Sequence, residues 1–424
     1  MEKSTNIYKT YISIMRRELV PAMGCTEPIA VAFCAAKARQ ALGEMPQCVR
    51  IQASGNIIKN VKSVVVPHTG GLRGLEAAAA VGTFYGDADA GLEVVSAVSK
   101  EQEQGLSEHM KSVDITVMPL VSEHILDLII TAIKDDSSVS VHIEDEHTNI
   151  TEIIENGVRT YCGAKTVISQ EEEPDYSLLS VADIFDFAGT ADLSDVQDIL
   201  DRQIAYNTAI SKEGLTNHYG ARIGQMLLKR DANVRTRAKA YAAAGSDARM
   251  SGCDMPVIIN SGSGNQGMTA SLPVIAYAEH YGKSHEELLR ALILSNLVTL
   301  HLKSGIGRLS AYCGAVSAGA GAGAGIAYLL TGDLRTINHT IVNCLAISSG
   351  IVCDGAKASC AAKIAMAVDA GIMGFDMHMN GCQFYSGDGL VTKGVENTIR
   401  NISQLGNEGM KETDKKIIEI MTSC

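Results

Sequence analysis

Three groups of residues in this sequence have the types and spacing to do chemistry. The first is Cys25, in Gly24-Cys25-Thr26-Glu27-Pro28. Pro28 suits the first turn of a helix, so Cys25 stands just before a helix start. The positive end of a helix favours a thiolate, which is the nucleophilic and basic form of cysteine. The second group is Cys313, Cys353 and Cys360. Cys313 heads a Gly-Ala helix, Cys353 lies in a break between helices, and Cys360 follows seven residues later, about two helical turns on. Three thiolates from helix ends can hold three irons of a 4Fe–4S cluster and leave the fourth open. The spacing matches no compact ferredoxin signature. Scattered buried cysteines are the competing reading, with Cys344 and Cys382 as rival ligands. No CxxC pair occurs, which argues against a structural zinc site.

The third group is the loop Asn260-Ser261-Gly262-Ser263-Gly264-Asn265-Gln266-Gly267. It contains a G-x-G-x-x-G match after the strand-like Val257-Ile258-Ile259. The context of a dinucleotide fingerprint is missing, because helices follow where a second strand should stand. A plain turn competes with an anion cradle, in which free N–H groups at a helix start face a carboxylate. Asn260, Ser261, Ser263, Asn265 and Gln266 would add neutral hydrogen bonds suited to an amino-acid carboxylate. His68 sits in a Gly-rich loop and could line a pocket. His218 and His301 read as ordinary helical residues. Lys303-Ser304-Gly305 could present a cation. There is no HExxH, GxSxG or Walker motif.

These groups need elements to hold them. The chain has 424 residues, enough for two to three domains, and 46% are hydrophobic, so a large core is available. Aromatic residues are only 4%, without Trp, so the core rests on aliphatic side chains and close contacts at 40 Gly. Lys plus Arg number 36 and Asp plus Glu 48, a net charge of −12 that repels phosphate backbones and argues against nucleic acid as a partner. The N-terminal stretch lacks the apolar core of a secretory signal, so a cytoplasmic setting with reduced thiols is expected for the eleven cysteines. Leu309 to Gly332 is uncharged and long enough to span a bilayer, but its Gly-Ala centre has little hydrophobic drive. It reads as a central helix packed on all sides, with Thr336 to Cys353 as its partner, and no membrane is expected.

The fold class expected is α+β: a mainly helical catalytic domain with a smaller α/β module after the N-terminal helices. Residues 1–44 are expected to be helices packing on the catalytic domain, with 21–27 a loop. Residues 45–170 form the α/β module, with strands near 49–53, 64–66, 115–118 and 139–143 and helices near 73–82, 88–100 and 121–135. The acidic, Pro-containing segment 169–176 marks the boundary. Residues 175–424 form the helical domain.

The octapeptide Pro21-Ala22-Met23-Gly24-Cys25-Thr26-Glu27-Pro28, the 260–267 loop and Cys313, Cys353 and Cys360 together resemble the L-cysteine desulfidase family, which is related to the iron–sulfur L-serine dehydratases. The resemblance covers essentially the whole chain. It implies an oxygen-sensitive 4Fe–4S cluster, no pyridoxal phosphate, and conversion of L-cysteine to pyruvate, ammonia and hydrogen sulfide. By the same resemblance Cys313, Cys353 and Cys360 would be the cluster ligands, with one iron open. Cys25 would be the catalytic thiol, and the 260–267 loop, including Gly264 and Gly267, would line the substrate site. The C-terminal Cys424 could reach back to the open iron, as in some related dehydratases.

Two other functions stay open. One is L-serine dehydration by the same machinery. The other is a cluster-free module that binds or senses an amino acid. In each case the partner is a small amino acid, and a homo-oligomer is compatible with the sequence. If Cys25 is not the base, His68 is next in line. L-Cysteine is expected to outrun L-serine, because a thiolate suits a soft open iron and sulfide leaves more readily than hydroxide.

Overall fold

In the computed structural model, which describes residues 1–163 and 174–422, the first part of the chain runs α1 (Asn6–Glu18), β1 (Pro21–Met23), α2 (Thr26–Leu42), β2 (Cys48–Ala53), α3 (Gly55–Val61), α4 (Gly74–Tyr85), α5 (Lys100–Met110), β3 (Asp114–Pro119), β4 (Asp127–Lys134), β5 (Ser137–Glu144), β6 (Ile150–Glu155) and β7 (Val158–Cys162). The second part runs α6 (Val181–Thr190), α7 (Gln197–Thr216), α8 (Ile223–Arg230), α9 (Val234–Met250), β8 (Pro256–Ile258), α10 (Gly264–His280), α11 (His285–Ile306), α12 (Gly314–Thr331), α13 (Leu334–Ser348), α14 (Cys360–Met379), α15 (Val395–Gln404) and α16 (Lys411–Thr422). The fold is α+β with a mainly helical part, as expected. The segment 169–176 lies largely outside the described residues, and Cys424 lies outside them entirely.

Six strands form one mixed sheet in the order β3-β2-β4-β5-β6-β7, with only β2 and β3 parallel. Ile51, Ile130 and Val141 point from one face into a core shared with α2 and α4. The expected helix at 121–135 is instead β4. Its run Leu128-Ile129-Ile130-Thr131-Ala132-Ile133 is apolar at most positions, which hides the period of two, while its β-branched residues favour a strand. Val64–Val66 forms only a single bridge, Val65 to Arg73. The 21–27 segment is not all loop: β1 pairs antiparallel with β8, Ala22 opposite Val257. The helices of 1–44 divide their packing. Residues of α1 join the helical core, whereas those of α2 join the core of the sheet. The reason is that α2 is apolar on nearly every side and needs cover all round.

The helical part is organised by α12, the Gly-Ala helix. It is long and apolar enough to cross a membrane, and it is mostly buried within the protein. Its glycines fall into two stripes at i, i+4 spacing. A Cβ on Gly323 would stand 2.7 Å from Gly371 O, and one on Gly319 would overlap Ala367, so this stripe admits α14. A Cβ on Gly325 would stand 2.8 Å from Val274 Cγ2, and one on Gly321 would overlap Thr299 of α11. Each glycine costs up to about 1 kcal/mol of helix propensity against alanine. The close packing offsets that cost and brings the N-termini of α12 and α14 together.

Candidate functional site

Cys25 is the N-cap residue of α2, Ser263 of α10 and Cys313 of α12, while Cys360 is the first residue of α14. These four helix starts border one cavity, whose wall contains Cys25, Cys313, Cys353 and Cys360 together. Four partial positive charges therefore face one space, a setting that favours bound anions and thiolates.

The three thiols come from a small β-like clasp and a helix start. Cys313 N donates to Ile351 O at 3.1 Å and Cys353 N donates to Ala311 O at 2.6 Å, around the bridge Tyr312–Val352. Burial, followed by the neighbouring Cys353, pushes the Cys313 thiol up to about 12. Burial also raises Cys360. Burial thus favours the neutral thiol at Cys313 and Cys360, and a bound metal reverses that logic by deprotonating its thiols. Three cysteines bordering one cavity are a donor set that could hold a cluster. Lys303 and Lys363 also line the cavity. Burial pulls Lys303 down to about 8. The rival cysteines lie elsewhere: Cys344 is buried within α13 beside Ser348, and Cys382 is exposed. Cys34 is buried, with Sγ 3.4 Å from Val141 O.

Cys25 differs from its expected state. Its Sγ donates to Glu27 Oε2 at 3.0 Å. Burial first, then the Glu27 charge, raises this thiol well above its ordinary value, so the helix start does not make it a thiolate. Glu27 also accepts from Thr26 Oγ1 at 3.2 Å and from Asn60 Nδ2 at 3.1 Å. Burial would raise Glu27, but His147, the Cys25 thiol and Arg249 outweigh it and hold the carboxylate below its ordinary range.

The 260–267 loop divides. Ser263, Asn265 and Gln266 line the cavity. Asn260 does not, contrary to expectation. It is fully buried, and its Nδ2 donates to Asn296 Oδ1 at 3.0 Å, in a core network that Gln203 completes. The network satisfies the amides of Asn296 and Gln203, while Asn260 Oδ1 has no partner among the described residues. Ser261 borders a neighbouring groove with Glu18 and Arg308. Gly264 and Gly267 contribute space: a Cβ on Gly264 would overlap Arg249, and one on Gly267 would overlap Ile258 O.

Arg249 is a residue that sequence reading missed. It is 2% exposed and lines the cavity, and its Nε and Nη2 have no hydrogen-bond partner among the described residues. Asn265 Oδ1 and Gln266 Oε1 are likewise unpartnered. Buried polar groups of this kind call for a ligand, and a guanidinium fork matches a carboxylate. Glu27, Asn60, Lys363 and Arg308 also escaped notice. The available signals were Glu27 beside Cys25, and Arg249 closing an otherwise small-residue stretch, Ala242-Ala243-Ala244-Gly245-Ser246-Asp247-Ala248. His68 is outside the cavity wall, 4.0 Å from Asp254. His218 is exposed in the connection between α7 and α8, and His301 pairs with Glu396 at 2.7 Å.

A family model described as the serine dehydratase alpha chain matches residues 89–419. The chain belongs to the serine dehydratase alpha chain family. It is 56% identical to a UPF0597 protein of Desulfitobacterium hafniense, over 99% of this chain and 98% of the relative. It is 52% identical to a UPF0597 protein of Lachnoclostridium phytofermentans over 98% and 100%, and 48% identical to one of Finegoldia magna over 97% and 99%. Members of the serine dehydratase alpha chain family are lyase-type enzymes typically associated with iron and sulfur. The match begins at residue 89, so it takes in the loop and the three thiols, while Cys25 and Glu27 precede it.

Proposed function

We propose that this chain is a 4Fe–4S-dependent lyase converting L-cysteine to pyruvate, ammonia and hydrogen sulfide. The observation that carries this reading is the shared cavity of Cys313, Cys353 and Cys360 with Cys25, Glu27 and Arg249. Cys313, Cys353 and Cys360 would hold the cluster, which when bound supplies a Lewis-acidic iron for the leaving sulfur. Arg249 grips the substrate carboxylate as a fork, with Asn265, Gln266 and the start of α10 beside it. This fixes the Cα–H bond toward the Cys25–Glu27 pair.

Because the Cys25 proton already faces Glu27 at 3.0 Å, the two residues work as one unit. The α-proton passes to sulfur as the thiol proton passes to the carboxylate. The C–H electrons form the Cα=Cβ bond, and the C–S pair leaves with sulfur as hydrosulfide. Aminoacrylate then tautomerises to an imine, and water releases pyruvate and ammonia. The reading needs no pyridoxal phosphate and suits a reducing cytoplasm.

The family description favours a second reading, L-serine dehydration in the same cavity. Anaerobic reconstitution of the full chain with iron and sulfide, followed by kcat/KM for both amino acids, separates the two. Pyruvate and sulfide from L-cysteine at the higher kcat/KM support the desulfidase. A serine value equal or higher selects the dehydratase. Amino-acid binding without pyruvate leaves a binding module. Cys313→Ser, Cys353→Ser and Cys360→Ser should each lose the visible cluster absorbance, while Cys34→Ser and Cys48→Ser should keep it. Full absorbance in Cys353→Ser removes the cluster assignment.

A further inference from the structure

The end of the sheet carries a second group of ligand-bearing side chains, apart from the thiol cavity. Asp127 opens β4 and Glu144 closes β5, and the two are directly opposite each other in the antiparallel register. His142, two residues before Glu144, points from the same face. Two carboxylates facing one another across strands repel, and Asp127 is only 5% exposed, which raises the cost of an unbalanced charge. Neither carboxylate forms an ion pair with Lys or Arg among the described residues. Both turn to His142, whose Nε2 is 2.7 Å from Asp127 Oδ1 and 3.4 Å from Glu144 Oε1.

We propose that Asp127, His142 and Glu144 form a binding site for a divalent transition-metal ion of the zinc, manganese or ferrous class. Their ligand atoms all lie within 4.8 Å of one another. Metal–ligand bonds of about 2.0–2.2 Å set tetrahedral ligand atoms about 3–3.5 Å apart, so only small side-chain adjustments close the site. One proton on His142 balances a single carboxylate, whereas a divalent cation balances both. Imidazole with two carboxylates selects this class over soft monovalent copper, which prefers sulfur.

His124 stands at the edge of this group, outside the three side chains whose ligand atoms converge. Its Nδ1 is 2.9 Å from Asp145 Oδ1, and its Nε2 is 4.0 Å from Glu144 Oε1. Asp145 thus orients the His124 ring with Nε2 on the side of Glu144, where it could serve as an outer partner of the site. A metal here would fasten the segment before β4 and the turn after β5 to the sheet. That turn leads to His147, a buried imidazole whose pKa burial lowers.

The test is titration of the full chain, under anaerobic conditions, with Mn²⁺ alone. Loss of the free-ion electron paramagnetic resonance signal reads binding. Mn²⁺ is hard and avoids the thiol cavity. Wild type and Cys313→Ser should each bind one equivalent. Loss of an outer partner alone weakens metal sites by about 10–100-fold, so His142→Ala and Glu144→Gln should each weaken binding at least about tenfold. Circular dichroism checks folding, and if His142→Ala does not fold, Glu144→Gln, at a side chain 25% exposed, decides. Absence of Mn²⁺ binding up to about 1 mM, unchanged affinity in Glu144→Gln, or binding lost only in Cys313→Ser would each overturn the site.

Discussion

The thiol of Cys25 donates to the carboxylate of Glu27 at 3.0 Å, so this cavity-lining sulfur holds its proton against an acceptor two residues along the chain. Glu27 is itself held ionised by His147, the thiol and Arg249 against the cost of burial. Glu27→Gln preserves the shape and an acceptor oxygen but cannot take a proton. We expect kcat to fall by about 10²–10⁴-fold, the usual contribution of a positioned acid–base group. KM and cluster absorbance should stay close to wild type. A kcat within a few-fold of wild type would remove Glu27 from proton transfer.

Arg249 makes a different kind of prediction. A carboxylate is present in substrate and transition state alike, so its holder contributes uniform binding. Arg249→Lys keeps the charge and loses the fork. Loss of one charge-assisted hydrogen bond is worth about 1.5–3 kcal/mol, or roughly 10–100-fold, and should appear mainly as a raised KM. Steady-state kinetics on an anaerobic preparation checks this. A lowered kcat at unchanged KM would mean that Arg249 acts on the reacting atoms instead.

Parts of this site were legible in the sequence because they are dense local patterns. The 260–267 loop and the Gly24–Pro28 turn concentrate unusual residues within eight positions, and the Gly-Ala run announces close helix packing. Arg249 and Asn60 are single residues on separate helices, joined to Cys25 only by tertiary contact, so no spacing could reveal them. Asn260 was misplaced for a related reason: a loop pattern does not say which side chain turns inward, and here Asn296 takes it into the core. The state of Cys25 was misjudged because the helix-end effect is local, whereas burial, which outweighs it, depends on the whole fold. Strand β4 was hidden by its apolar residues on both faces. Cys344 could not be told from Cys353 by spacing, since only the chain reversal after α13 brings the latter to the cavity.

Asp247 gives a pH-dependent prediction. It is 1% exposed, and burial raises its carboxyl to about 6 from 3.8, despite a hydrogen bond donated by Gly224 N at 3.2 Å. Between about pH 4 and 6 the folded chain therefore holds a proton that the unfolded chain has lost. Stability falls as pH rises through that window, and the cost is complete above it. Asp247→Asn removes the titration. It should raise the melting temperature at pH 7, reflecting about 1–3 kcal/mol, and leave it unchanged below about pH 4. A variant less stable than wild type at pH 7 would show that the ionised carboxylate is needed by its backbone donors.

The last prediction concerns the attachment of α16. Lys59, on α3, lines the cavity with its side chain 1% exposed, and its ammonium pairs with Asp414 of α16 at 2.5 Å. Ile418 of the same helix packs against Gly55, 3.0 Å from where a Cβ would stand. Asp414→Asn leaves a buried ammonium facing a neutral amide, and removing one partner of a buried pair costs about 3–5 kcal/mol. We expect a melting temperature lower by several degrees. The loss should depend less on salt than that of an exposed pair, because ions screen a largely buried pair weakly. Replacing both partners together, as Lys59→Met with Asp414→Leu, removes the stranded charge and should recover most of the stability. A double variant as unstable as the single one would show that the helix is held by the shape of Lys59 and not by its charge.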